Sequence, residues 1–135
     1  MTVIESIKAW LKSNNLEIKE ISTEMLPQGA SQYSMMKSPQ NQCERYIDGS
    51  ERRTEFYTVF ARREYQFKED REQNDLFFEN LEYKVSELDA SSQLPELGNG
   101  RECEGIEISG SSYLFSTSEN ECVYSLTIKI IYRKG

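Results

Sequence analysis

The stretch YIDGSERRTEFYTVFARREY, Tyr46 to Tyr65, constrains this fold more than any other segment. Asp48-Gly49 is the strongest hairpin signal in the chain, because glycine accepts the positive φ that a tight turn demands. From Glu51 to Tyr65 the residues then alternate as a strand. At about 3.4 Å per residue this run reaches roughly 50 Å, about twice an ordinary strand. Phe56, Thr58 and Phe60 fall on one face, and Tyr57, Val59 and Ala61 on the other. Both faces are apolar at mid-strand while the ends are charged. That pattern predicts a central strand covered on both sides, or one whose second face meets another subunit.

The flanking segments supply a sheet and two helices. Ile4, Ile7, Trp10 and Leu11 recur at helical spacing, with Thr2 as N-cap and Glu5 three positions on, so a short helix runs from Val3 to about Ser13. Asn14-Asn15 ends it. Leu16 to Ile21 alternates as a strand, Pro27-Gln28-Gly29 breaks the pattern, Tyr33 to Met36 reads as a short strand stopped by Ser38-Pro39, and Gln42 to Ile47 reads as extended into the Asp48-Gly49 turn. After a turn over Phe67 to Glu72, with Asp70 as candidate N-cap, Phe77, Leu81, Val85 and Leu88 form one apolar stripe that Phe78 widens. The acidic residues Glu69, Asp70 and Glu72 complement that helix's dipole. Cys103–Ser109 and Tyr113–Phe115 read as strands. Cys122 to Tyr132 alternates most cleanly, with Tyr124, Leu126, Ile128, Ile130 and Tyr132 on one face. The expectation is one α+β domain over residues 1–135, a mostly antiparallel sheet with two helices packed against it.

Composition excludes several chemistries. The 135 residues include no histidine, which removes Ser-His-Asp and Cys-His nucleophiles and histidine metal ligation. Cys43, Cys103 and Cys122 are odd in number and form no CxxC pair, so they read as small hydrophobes kept reduced; Cys103 and Cys122, both on strands, are candidate neighbours. No GxGxxG follows a strand, and Gly98-Asn-Gly100 is not continued into a phosphate loop. Glu102 and Glu104 would share one strand face and Glu107 the other, a solvated face rather than a metal site. No catalytic, cofactor or metal residue is expected. The net charge of −7 argues against a nucleic-acid binder, and Arg52-Arg53 and Arg62-Arg63 each have a glutamate within two residues. No apolar run approaches the roughly 20 residues that span a bilayer. The N-terminus lacks a signal-peptide core, so a cytoplasmic origin is expected.

Three stretches, taken in order, resemble a known family. They are IESIKAWL, then SQYSMMKSPQNQCERYIDGSERRTEFYTVFARREY, then LPELGNGRECEGIEISGSSYLFSTSENECVYSLTIKIIYRK. Together these resemble the small minor capsid proteins that act as tail terminators in siphovirus-type phages of Gram-positive bacteria. The resemblance implies a curved sheet with helices against it, and a homo-oligomeric ring, typically a hexamer. Such a ring caps the tail tube, stops its elongation and joins the filled head through connector proteins. It also implies location in the virion at the head–tail junction, after assembly in the host cytoplasm. DNA would pass through the lumen without specific binding; an acidic lumen would repel its phosphates within the Debye length of about 8 Å. The loop Glu119–Cys122 and the strand cysteines have no counterpart in the family pattern.

A ring needs two different surfaces that meet on neighbouring subunits. The residues read as oligomer or partner interface are Trp10, Arg52, Arg53, Tyr57, Val59, Arg62, Arg63 and Tyr65. Two alternatives stand beside the terminator. One is a head–tail connector or head-completion protein. The other is a small acidic monomeric module that masks a basic partner with salt-dependent association.

Overall fold

The computed structural model describes residues 2–14, 21–22, 32–64, 68–109, 113–117 and 121–135. Its elements are α1 (Val3–Ser13), β1 (Ile21–Ser22), β2 (Gln32–Arg45), β3 (Glu51–Glu64), α2 (Lys68–Ala90), β4 (Arg101–Ile108), β5 (Tyr113–Thr117) and β6 (Glu121–Lys134). The fold is α+β: two helices on a curved, mostly antiparallel sheet ordered β1-β2-β3-β6-β4. The short β1 pairs parallel to β2, and β5 pairs with the first half of β6 while β4 pairs with the second.

Helix α1 forms where its sequence directs. The Thr2 hydroxyl accepts the Glu5 N–H at 3.2 Å, the Thr2 N–H donates to the Glu5 carboxylate at 3.3 Å, and Asn14 closes the C-terminus. In α2 the buried stripe is Asn74, Phe78, Leu81, Val85 and Leu88. Phe78 lies inside with its ring 4.7 Å from that of Tyr124, whereas Phe77 sits half-buried against Tyr33. The helix also starts earlier than its sequence suggested, at Lys68, so Asp70 lies inside the first turn. Lys, Glu, Arg and Gln are all good helix formers, and nothing in 68–73 breaks the run.

β3 is the central strand. Register places Tyr57, Val59 and Ala61 beside Met35 and Tyr33 of β2 and beside Ile128, Leu126 and Tyr124 of β6. This face is the core, with α1 and α2 upon it. Phe56, Thr58 and Phe60 point the other way and are half-buried. At the β5 end that second face is also sheltered, since Ser34, Val123 and Ser125 are buried.

Three sequence expectations are corrected here. The short strand expected to stop at Ser38-Pro39 and the extended run expected from Gln42 form one strand, β2, continuous to Arg45 because the register slips between Lys37 and Asn41. Three residues, Ser38 to Gln40, oppose Phe56 alone, and a proline is tolerated in such a bulge because its missing N–H is not needed there. A second slip at Glu104 brings Glu107 to the face of Glu102, opposite Lys129 and Arg133, and Glu104 reaches Arg52 on that same exposed face, so Glu107 does not fall on the other side. Finally, Cys103 and Cys122 are not neighbours. They sit ten residues apart along β6, since Cys103 pairs with Tyr132, a separation of about 34 Å. The strand expected over Leu16–Ile21 lies almost wholly outside the described residues.

Candidate functional site

Beyond the bulge, the end of β2 and the turn after it form an exposed edge arm, while β3 stays paired with β6 as far as Glu51. Residues 39–49 are all exposed. β1 pairs with β2 only at Tyr33 and Ser34, so among the described residues nothing pairs with the outer edge of β2 from Met35 to Arg45. The arm closes in a three-residue turn. The Gly49 N–H donates to the Tyr46 carbonyl at 3.0 Å, the Tyr46 N–H donates to the Ser50 carbonyl at 2.9 Å, and only Gly49 takes a positive φ, +88°. The Asp48 carboxylate accepts the Ser50 N–H and hydroxyl at 2.9 and 2.6 Å, and the Ser50 hydroxyl holds it below the usual carboxylate range. At the tip Ile47 is wholly exposed, and Tyr46 lies under the Arg133 guanidinium at 5.0 Å.

At the arm's root lies a buried carboxylate. Glu55 is only 3% exposed, and its two oxygens are both engaged. One accepts the Tyr57 hydroxyl at 2.9 Å. The other accepts the Tyr132 hydroxyl at 3.0 Å and the Lys37 ammonium at 3.3 Å, with Arg53 at 4.0 Å. Burial first, and then the Glu55 charge, raise both phenols: Tyr132 to about 12, and Tyr57 well above the ordinary tyrosine range. Above this nest a cleft of about 470 Å³ opens between the start of α1 and the side chains of Lys37, Arg53 and Arg101. The nest ties three elements together where the arm begins. Its carboxylate is fully occupied in holding phenols and cations, which suits a structural anchor.

The structure separates the residues expected at an interface. Trp10, Tyr57 and Val59 are corrected, for they belong to the subunit's own core. Strand parity turned Tyr57 and Val59 inward, and the Trp10 indole N–H donates to the Gln93 carbonyl at 2.8 Å. Arg63 is likewise tied inside. It donates to Asn74 Oδ1 at 3.0 Å and to the Tyr33 hydroxyl at 2.9 Å, and it stacks 4.3 Å above the Phe77 ring. Arg62 is half-exposed on the second face of β3. Arg52 and Arg53 remain on the surface near the arm, paired with Glu104 at 3.0 Å and Glu51 at 2.8 Å. Tyr65 lies outside the described residues. Sequence reading missed Glu55, although its place two residues before Tyr57 puts it on the core face. It also missed Ile47, an apolar residue set directly against the Asp-Gly turn.

Among the described residues no group of three or more His, Cys, Asp or Glu is placed to hold a metal, and no helix is long and apolar enough to cross a membrane. Comparison with protein-family models and with curated proteins finds no match to this chain.

Proposed function

We propose that this chain is a structural assembly protein of the tail-terminator kind, a ring-forming subunit that caps a phage tail tube and presents a surface to the head-side connectors. The observation that carries this reading is the arm. Residues 39–49 contribute nothing to the subunit's own core, yet they are ordered by pairing with β3, which β6 holds on its other side, by a glycine turn and by the nest at the root. Ordering a residue costs roughly 1–2 kcal/mol of chain entropy. A stiff, exposed sheet edge with an apolar residue at its turn suits a docking element, because preorganisation lowers the entropic cost of association. The sequence resemblance supports the same class. Purified tail-tube protein that polymerises alone tests it: addition of this chain should halt tube growth and leave short capped tubes. Tubes of unchanged length, with no protein bound at their ends, would refute it.

A second reading is favoured by one observation. Helix α2 carries eight acidic and three basic residues, a net of −5 within a chain of −7. So concentrated a charge suits a small acidic module that binds a cationic partner. Such a module stays monomeric and ignores the tube.

A further inference from the structure

An edge strand carries a row of main-chain donors and acceptors that its own sheet does not use. Which residues of β2 carry that row follows from the turn after it. The Tyr46 N–H donates to the Ser50 carbonyl, so residue 46 turns its main-chain groups toward the returning chain. These directions alternate along an antiparallel strand, so Gln42 and Glu44 bond to β3, opposite Thr54 and Arg52. Asn41, Cys43 and Arg45 therefore point their N–H and C=O groups outward. All three residues are exposed, and among the described residues nothing pairs with them on that side. The row holds three donors and three acceptors along about 17 Å.

The ends of this row, and the far side of the sheet, are closed. The bulge over residues 38–40, with Pro39 in it, interrupts β2 before Asn41, and the Asp48-Gly49 turn follows Arg45. β4 runs along the opposite side of the sheet. There the Asp89 carboxylate, at the end of α2, accepts the outward Ile106 N–H at 3.0 Å. One edge is thus blunted by a helix side chain while the other stays bare. The side chains beside the bare row are matched within the subunit. Arg45 lies 3.9 Å from Glu51, Arg52 pairs with Glu104, and Glu44 accepts the Tyr46 hydroxyl at 3.4 Å. Charge selects no occupant here. What remains to recognise one is the main chain, with Ile47 wholly exposed just past the row.

We propose that the outer edge of β2 accepts a strand. An extended segment of the tube-side partner adds beside residues 41–45, its main chain pairing with the six outward groups and one of its apolar residues covering Ile47. A second copy of this chain is a poor occupant. Two β2 edges paired about Cys43 would join only five residues a side, well under the roughly 800 Å² per partner of a stable interface. That two-fold contact would also not repeat around a ring. A single short strand binds weakly for the same reason of size, but a ring presents one such edge per subunit, and the copies hold the tube together. The inference rests on the ring reading and names how ring and tube make contact.

Residue-resolved hydrogen exchange tests it, on the full chain alone and bound to purified tail-tube protein. The N–H groups of Asn41, Cys43 and Arg45 should exchange fast in the free chain and at least tenfold more slowly in the bound one. Those of Gln42 and Glu44, bonded to β3, should be protected in both. Cys43→Pro removes an outward donor and no bond to β3, so it should unfold close to the wild-type urea midpoint and bind tube ends at least tenfold more weakly. If that variant fails to fold, the exchange pattern of the wild type decides alone. Capped tubes in which the three N–H groups exchange as fast as in the free chain overturn the inference and leave the ring reading intact. Protection of the three in the free chain that grows with its concentration would place a second copy on the edge and also overturn it. A wild-type chain that never binds the tube overturns both.

Discussion

Replacing Glu55 with leucine should destabilise the subunit by about 3–5 kcal/mol, the range for removing one partner of a buried charge cluster. The magnitude follows from what the carboxylate holds. Tyr57 and Tyr132 are nearly inaccessible, so both hydroxyls lose their acceptor without gaining water. A hydrogen bond to a charged group is worth about 1.5–3 kcal/mol, and two are lost. Lys37 and Arg53 are surface-exposed enough to turn outward, so they add little. Glu55→Gln should cost about half as much, since its amide oxygen still accepts from one tyrosine. The combination Glu55→Leu, Tyr57→Phe, Tyr132→Phe should recover most of the loss, because replacing all partners with apolar groups leaves nothing unpaired. Urea denaturation of the four proteins gives the comparison directly, provided the slope stays constant. If the single leucine variant matched the wild type, or the triple variant were the least stable of the four, the nest would not be an anchor and the reasoning would fail.

Raised phenol pKa values make the subunit sensitive to alkali. Tyr132 keeps its proton to about 12 when folded, against about 10 in the unfolded chain, so its contribution is complete below pH 10 and is lost as pH rises through 12. Urea midpoints measured from pH 8 to 12 should fall above pH 10, and Tyr132→Phe should fall less steeply; equal slopes would contradict the assignment. Gly49→Val should cost about 1–2 kcal/mol in the same assay and impair assembly, while Gly49→Asn should cost less than half of that. Nothing lies within 4 Å of the missing Cβ, so the penalty comes from the positive φ alone. A wild-type midpoint with normal assembly in Gly49→Val would contradict it. Of the three thiols, exposed Cys43 should react with a disulfide reagent at least tenfold faster than half-buried Cys103 or buried Cys122. Burial also raises the Cys103 thiol, to about 11. Three equal rates would contradict this placement.

Much of the fold was legible because local signals and burial agree. Helix α1 follows from Thr2, Glu5 and the spacing of Ile7, Trp10 and Leu11, and β6 from strict alternation between Cys122 and Tyr132. The failures lie where a residue is added to a strand. A bulge leaves no mark on composition, so Pro39 reads as a stop and Glu107 as a residue of the face opposite Glu102. Adjacent phenylalanines at 77 and 78 fit the same stripe, and only the exact rotation of α2 against Tyr124 separates them. The surface was harder to read than the core. Tyr57 and Val59 carry the chemistry of an interface but the parity of a buried face, whereas Ile47 looks like a lone apolar residue in a turn. The hairpin that carries it is legible in the sequence, but its full exposure beside the uncovered edge of β2 is not. Glu55 needed the pairing of β3 with β6, which brings Tyr132 to it across 77 residues of chain.

The most direct test of the account is the mass of the assembled particle. Light scattering after size exclusion should give either a closed ring of identical 15.7 kDa subunits, or a monomer that becomes one when tail-tube protein is added. A hexamer is the size the resemblance implies. A strict 15.7 kDa monomer in both conditions, binding instead to a basic partner in a salt-dependent way, would contradict the account and leave the acidic binding module in its place.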